Sequence, residues 1–356
     1  MRLPLPSRLR AARGFSLPEL MIAAAIGLSL LAGLSLMFVK NTRAQSEIEK
    51  ANRQVENGRF ALDLLAVDLR NAGYYGEFDP TTLPDPAALP APCAGTLDDL
   101  KAGLALPVQG IDNATTGLDC LADVRPNTDV LVVRRASTCI AGDPGCAPQS
   151  AGGPFFQASL CNNPSELDAM DSASYYALDL ATGSLNRHQR NCTGLAAVRR
   201  YRTHIYFIAN NNQDGDGIPT LKRAELGSDG SKPTYTIVAL AEGIENLQLE
   251  YGLDLLPATA GNGVADQFNA NPATAGGCAA TACAVSNWRG AVSVKLNLLA
   301  RNASKTPGWS DDKSYQLGRA ANGAVIEIPA PGDQYKRHVF QALVALPNPA
   351  GRRIPQ

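Results

Sequence analysis

Eight cysteines and one solitary carboxylate are the residues whose placement in this sequence implies chemistry. The carboxylate is Glu19, the single ionisable group in the 25-residue run Phe15–Val39, FSLPELMIAAAIGLSLLAGLSLMFV. A charge this deep in an apolar helix costs roughly 2.5–3.5 kcal/mol on insertion scales, so it calls for a positive partner. No basic residue stands within one or two helical turns on its C-terminal side. A free α-amino group would serve if the chain were cut just before Phe15. A helix does not readily fold its own terminus back, so the expected mate is the amine of a neighbouring subunit. The alternative is a frayed helix start, with Glu19 solvated at the level of the lipid headgroups. The cysteines, Cys93, Cys120, Cys139, Cys146, Cys161, Cys192, Cys278 and Cys283, all follow the apolar run. Export to an oxidising compartment makes disulfides the default for them. Spacing alone leaves the connectivity open. Sequential pairing is expected because Cys139–Cys146 and Cys278–Cys283 enclose short, turn-rich loops. Zinc is the rival, but no CxxC occurs and His188, His204 and His338 are scattered.

A third candidate lies at Asn212-Gln213-Asp214-Gly215-Asp216-Gly217-Ile218. Oxygen ligands from Asn212, Asp214 and Asp216 at alternate positions, followed by Gly for a sharp turn, match the start of a calcium loop. The twelfth position of such a loop calls for a bidentate Glu, and here it is Arg223, with Glu225 two residues late. A polar hairpin turn held by side-chain-to-backbone hydrogen bonds is therefore preferred over calcium. No other cofactor is implied. Signatures of enzyme chemistry are missing: there is no GxSxG, no Walker GxxxxGK[ST] and no HExxH. The chain reads as a non-enzyme.

These residues must be positioned by two kinds of element. As a helix rising ~1.5 Å per residue, Phe15–Val39 spans roughly 37 Å, enough for a bilayer core of about 30 Å. Arg2, Arg8, Arg10 and Arg13 precede it with no acid among them. Such a block orients a membrane segment, with the basic side cytoplasmic and everything after Lys40 exported. A secretory signal peptide fits less well, because its apolar stretch is usually about 7–15 residues and ends in a small-x-small cleavage pattern. Beyond Val39 the pattern turns amphipathic: Ile48, Ala51, Val55, Gly58, Leu62, Leu65, Leu69 and Ala72 recur at spacings of three and four. One helix is thus expected from Pro18 to Ala72, about 80 Å long, capped by Gly73. Gly27 and Gly33 are weak points or sites of close helix approach, and Gly58 is expected to fit beneath a sheet.

The rest of the 356 residues, 45% apolar and 18% charged over the whole chain, can bury a sizeable core. Thirty-two Gly and 24 Pro forecast long loops, especially over 74–127. Strands are expected at Asp129–Arg135, Arg199–Ala209, Thr234–Ala241, Glu245–Leu253, Ala291–Ala300 and Arg337–Leu346. A long helix followed by many strands reads as α+β, the helix packed on a mainly antiparallel sheet. The net charge of −1 gives no basic surplus for nucleic acid.

Arg13-Gly14-Phe15-Ser16-Leu17-Pro18-Glu19-Leu20 resembles the class III signal of type IV prepilins and pseudopilins. In that family a basic leader ends in Gly, a membrane peptidase cuts after it, the new N-terminal Phe is methylated, and a Glu stands fifth in the mature chain. The resemblance implies cleavage between Gly14 and Phe15, methylation of Phe15, and Glu19 as the charged partner in filament assembly. Pro18 departs from the more frequent Ile or Val, but suits a first helical turn. Further segments, DLLAVDLRNAGYYG, DVLVVRR, YFIA…GIPTLKRAEL, EGIENLQLEYGLD and VFQALVALPN, occur in an order similar to the minor pilin PilW family. That family implies four regions: a leader over 1–14, a membrane and filament-core half-helix over 15–39, an amphipathic half over 40–73, and an exported globular domain over 74–356. It implies a structural subunit that primes or caps a type IV pilus, held first as a single-pass inner-membrane precursor with its C-terminal domain periplasmic. Implied partners are other minor and major pilins, the prepilin peptidase and the inner-membrane assembly platform. The alternatives are a type II secretion pseudopilin, or a pilus-tip adhesin or calcium-binding module.

Overall fold

The computed structural model describes residues 14–115, 118–161, 166, 175–255 and 261–354; the four leader arginines lie outside the described residues. The chain divides into two compact units, Met1–Ala51 and Asn52–Gln356. An uninterrupted helix, α1 (Leu17–Arg70), gives its first part to one and its second part to the other. It then ends in a tight turn, where Gly73 adopts φ +69° and donates its N–H to the Arg134 carbonyl at 2.9 Å. A Cβ at Gly73 would meet the Pro107 ring at 2.9 Å, so a left-handed glycine is required there for space as well as for conformation.

The second unit continues with α2 (Leu97–Gly103), β1 (Val108–Ala114), β2 (Thr128–Ile140), β3 (Phe155–Ala158), β4 (Tyr176–Asp179), β5 (Val198–Ala209), β6 (Thr220–Ser228), β7 (Pro233–Glu242), β8 (Ile244–Leu253), β9 (Gln267–Asn269), α3 (Thr281–Arg289), β10 (Ala291–Arg301), β11 (Tyr315–Arg319), β12 (Val325–Ile328), β13 (Arg337–Ala345) and α4 (Pro347–Arg353). One sheet runs β1-β2-β5-β3-β4, with β6 also paired to β5 and β7 to β6; a second runs β13-β10-β8-β9, and β11–β12 form a separate hairpin. Every pairing between these strands is antiparallel. The protein is α+β, as its sequence pattern implies.

The main core lies where the second part of α1 meets both sheets. Ala61, Leu65, Ala66 and Leu69 pack with Leu131, Val133, Tyr206 and Ile208 of the first sheet, and with Leu247, Leu249, Leu296, Leu298 and Phe340 of the second. The buried stripe starts later than the apolar periodicity implies. Ile48 and Ala51 are exposed, and the first buried position is the polar Gln54, whose Nε2 donates to the carbonyls of Ala300 (2.7 Å) and Lys336 (3.0 Å). Asn57 does the same for Glu242, at 3.0 Å. These amides dock the helix on backbone carbonyls of the sheets, the Lys336 carbonyl accepting from the Asn302 N–H as well, so polar residues open the packed stripe. Gly58 sits against Phe340: a Cβ there would stand 2.3 Å from the ring. The glycine is needed for close approach of helix and sheet.

All six expected strands are present, some longer by a few residues. Seven others, β1, β3, β4, β6, β9, β11 and β12, have no counterpart in the strand pattern. Most are short, and β6 (TLKRAELGS) carries charges on a half-covered surface, which hides the period-2 signal.

Candidate functional site: the N-terminal helix

Gly14, Phe15 and Ser16 precede the first helical residue, in backbone that is neither helix nor strand. Phe15 is 88% exposed and no atom comes within 4 Å of a Cβ built on Gly14, so the bond between them is open to approach. Ser16 then caps the helix. Its Oγ accepts from the Glu19 backbone N–H at 3.4 Å, while Glu19 Oε2 accepts from the Ser16 N–H at 2.9 Å and from the Ser16 hydroxyl at 2.8 Å. This is a reciprocal capping box, in which Ser16 and Glu19 satisfy donors that α1 leaves free at its start. Pro18 falls in the first turn, where a missing N–H removes no hydrogen bond. The sequence carries the signature of this cap as Ser-x-x-Glu directly before an apolar run.

From Leu17 to Val39 no side chain is buried, and Leu20, Ile22, Ile26, Leu28, Leu31, Leu34, Met37 and Phe38 project around the whole circumference. The polar side chains in and just after this stretch are satisfied locally: Ser29, Ser35 and Thr42 each donate to the carbonyl four residues earlier, at 2.8–3.0 Å. Hydroxyls closed on their own helix tolerate an environment without water. Within the described residues α1 is the one helix long and apolar enough to cross a membrane. Lys50 pairs with Glu47 at 2.8 Å, in a stretch that has become polar.

The second part of α1 carries a different device. Asp68 is buried and receives Arg135 Nε at 2.8 Å, His204 Nδ1 at 2.6 Å and the Tyr206 hydroxyl at 3.0 Å. Burial alone would raise its pKa. The hydrogen bond from His204, the charge of that ring and the Arg135 guanidinium outweigh it and hold the carboxyl well below the usual range. Arg223 reaches the Tyr206 hydroxyl at 3.4 Å and pairs with Glu225. An acid at position 68, on a mainly apolar face, fastens the helix to β2 and β5. Periodicity treats it as an exposed charge, and the sequence holds no signal that distinguishes it.

The prokaryotic N-terminal methylation motif matches residues 9–35, a span that contains Gly14, Phe15 and Glu19. The family described as Type IV Pilus-assembly protein W, PilW, matches residues 205–348, from within β5 to the start of α4. Over these two stretches the chain is similar to PilW-like type IV pilins. Among solved structures it is similar to the type IV-like pilin TTHA1219 from Thermus thermophilus, at 12% identity and a TM-score of 0.33, covering 83% of this chain and 96% of that one. A search of curated proteins finds no match. The two matched families are pilin families rather than enzyme families, and they imply other pilins and a prepilin peptidase as partners. Methylation motif and apolar helix together point to membrane anchoring.

The cysteines are all disulfide-bonded: Cys93–Cys120, Cys139–Cys146, Cys161–Cys192 and Cys278–Cys283. They lie in loops or near element ends, Cys139 in the last residues of β2 and Cys283 in the first turn of α3. The 212–218 loop connects β5 to β6. Asp216 spends its carboxylate on the backbone N–H groups of Gln213 (2.8 Å), Ile218 (2.9 Å) and Asn212 (3.1 Å), which lower its pKa. The Asn212 amide donates to Glu242 at 2.7 Å, and Asp214 is exposed. Gly215 and Gly217 take left-handed φ of +80° and +65°. Arg223 and Glu225 lie on β6 and pair with each other. No group of three or more His, Cys, Asp or Glu among the described residues is placed to hold a metal ion. The geometry is that of a polar turn closed by its own backbone.

Proposed function

We propose that this protein is a minor pilin that primes or caps a type IV pilus. The observation that carries the proposal is the lone carboxylate Glu19 on an exposed apolar helix, directly behind the open Gly14–Phe15 bond. In the precursor the leader faces the cytoplasm and the C-terminal unit the periplasm. Prepilin peptidase cuts after Gly14, and the Phe15 amine is methylated. Supported by the assembly platform, the helix then leaves lipid for a bundle of like helices from minor and major pilins. There its apolar surface stays out of water, and Glu19 exchanges its contact with Ser16 for a neighbour's positive terminus. Such a charge pair selects register more than it adds stability. A C-terminal unit spanning residues 52–356 crowds a repeating lattice, which favours the tip over the shaft.

Glu19→Gln tests the charge apart from the cap, because Gln also completes a capping box. Cells carrying it should process the precursor normally and show few or no surface pili. Normal piliation in that variant would contradict the pairing.

A further inference from the structure

The first sheet ends on an open edge. Strand β7, PTYTIVALAE, pairs with β6, and among the described residues no strand lies beyond it. In an antiparallel pair every second residue turns its N–H and C=O away from the partner strand. Over 234–241 those outward groups meet no other part of the described chain. Thr236, Ile237, Val238 and Ala239 are consecutive and all exposed. Ile237 stands on the face of Ala224 and Val238 on that of Arg223, each 37% exposed, so the edge is open from both sides.

Sheet edges are ordinarily blunted by shortness, charge, proline or a bulge. Other edges of this protein follow that rule. Strands β4 and β9 have four and three residues, and β1 carries Asp112 and a register shift between Ile111 and Ala114. Strand β7 has ten residues, with its proline at the first position. No charge falls between Lys232 and Glu242, and its register shift lies at the far end, beside Ala241. Both flanking charges are exposed, and Glu242 accepts from the neutral Asn212 amide at 2.7 Å. Unpaired backbone groups on an apolar strand call for another extended backbone.

We propose that the outer edge of β7 receives, as an added strand, an extended uncharged segment of a different exported polypeptide, with an acid at the Lys232 end and a base at the Glu242 end. A second copy of this chain does not fit. Two like edges close about a two-fold axis perpendicular to the sheet, which makes their strands antiparallel. The docked part of α1 packs on that same sheet, Leu65 and Leu69 with Leu131 and Tyr206, so the axis reverses its direction. Two copies inserted the same way into one membrane, on the orientation proposed above, cannot meet in this manner.

The probe is a fluorescein-labelled peptide of residues 232–242, whose lysine and glutamate oppose Glu242 and Lys232 when it runs antiparallel to β7. Added to the full chain in detergent, it should raise fluorescence anisotropy saturably and protect the amides of 236–239 from hydrogen exchange. A peptide of the same residues in scrambled order should do neither. Val238→Lys, at an exposed position, should weaken binding several-fold. Glu242→Lys should also weaken it, and a probe carrying Lys232→Glu should restore it. Amides at 236–239 that stay unprotected overturn the proposal, as does binding that both variants leave unchanged. Concentration-dependent dimers of the full chain joined at β7 would overturn it as well, by giving the edge to a second copy.

Discussion

The two parts of α1 obey one helical geometry and opposite burial rules. Over Leu17–Val39 the apolar side chains stand outward on every face, and the polar groups are closed on the helix itself. Over Asn52–Arg70 a single face is buried, and its polar members Gln54 and Asp68 are spent on the sheets. A helix apolar all round needs a cover that its own chain does not supply, whereas a striped helix is already docked. Here the distinction between an uncovered part and a docked part lies in the angular distribution of apolar residues.

Removing the Asp68 clasp should break the docked part most strongly. Asp68→Ala strands Arg135 and His204 without their acid, at a cost of about 3–5 kcal/mol, read by urea unfolding of the full chain. Glu19→Gln should leave that curve unchanged. The pH dependence sharpens the point. Because the Asp68 pKa is depressed in the fold, its stabilisation is complete above the unfolded value of about 3.9 and fades as pH falls toward the folded value. Asp129 works the other way. Burial pushes its carboxyl up to about 8, against the N–H groups of Asn113 (2.9 Å) and Leu249 (2.7 Å). Its contribution is present below about pH 4 and is lost as pH rises through about 8. Asp129→Asn should therefore flatten a decline in stability between these limits, and an unchanged slope would remove Asp129 from the account.

Glycine to alanine separates the two parts with one chemistry. At Gly58 the new methyl runs into Phe340, and the overpacking should cost about 1–3 kcal/mol despite the better helix propensity. At Gly33, where nothing lies within 4 Å, the same change should leave the unfolding midpoint of the second unit where it was. The smallest effect is at the helix start. Ser16→Ala removes one arm of the capping box and should fray the first turn, seen as faster amide exchange at residues 17–20.

The sequence announces strongly periodic or strongly apolar segments and hides whatever depends on a distant partner. Helix α1 is legible because an apolar run passes without a break into an i, i+3, i+4 stripe. Strands β5, β8 and β10 are legible because hydrophobic runs end in turn residues. Strand β6 is not, since its charges face Tyr206 and β7 and cannot be interpreted without those neighbours. Glu19 stands out as the lone charge in an apolar run, and Gly14 and Phe15 through the resemblance to a class III prepilin signal. Asp68 does not: a buried acid looks like an exposed one until β2 and β5 bring Arg135 and His204 to it. Helices α2 and α3 escape notice for a milder reason, being short pieces in a Pro- and Ala-rich text; α2 nevertheless carries a Thr96–Asp99 capping box.

Intact-mass and N-terminal peptide spectrometry of the protein from peptidase-competent cells bears most directly on the central claim. The mature chain should begin at Phe15 and carry one extra methyl group on its α-amine. A chain that retains Gly14 and the arginines before it would contradict the assignment of this helix to filament assembly.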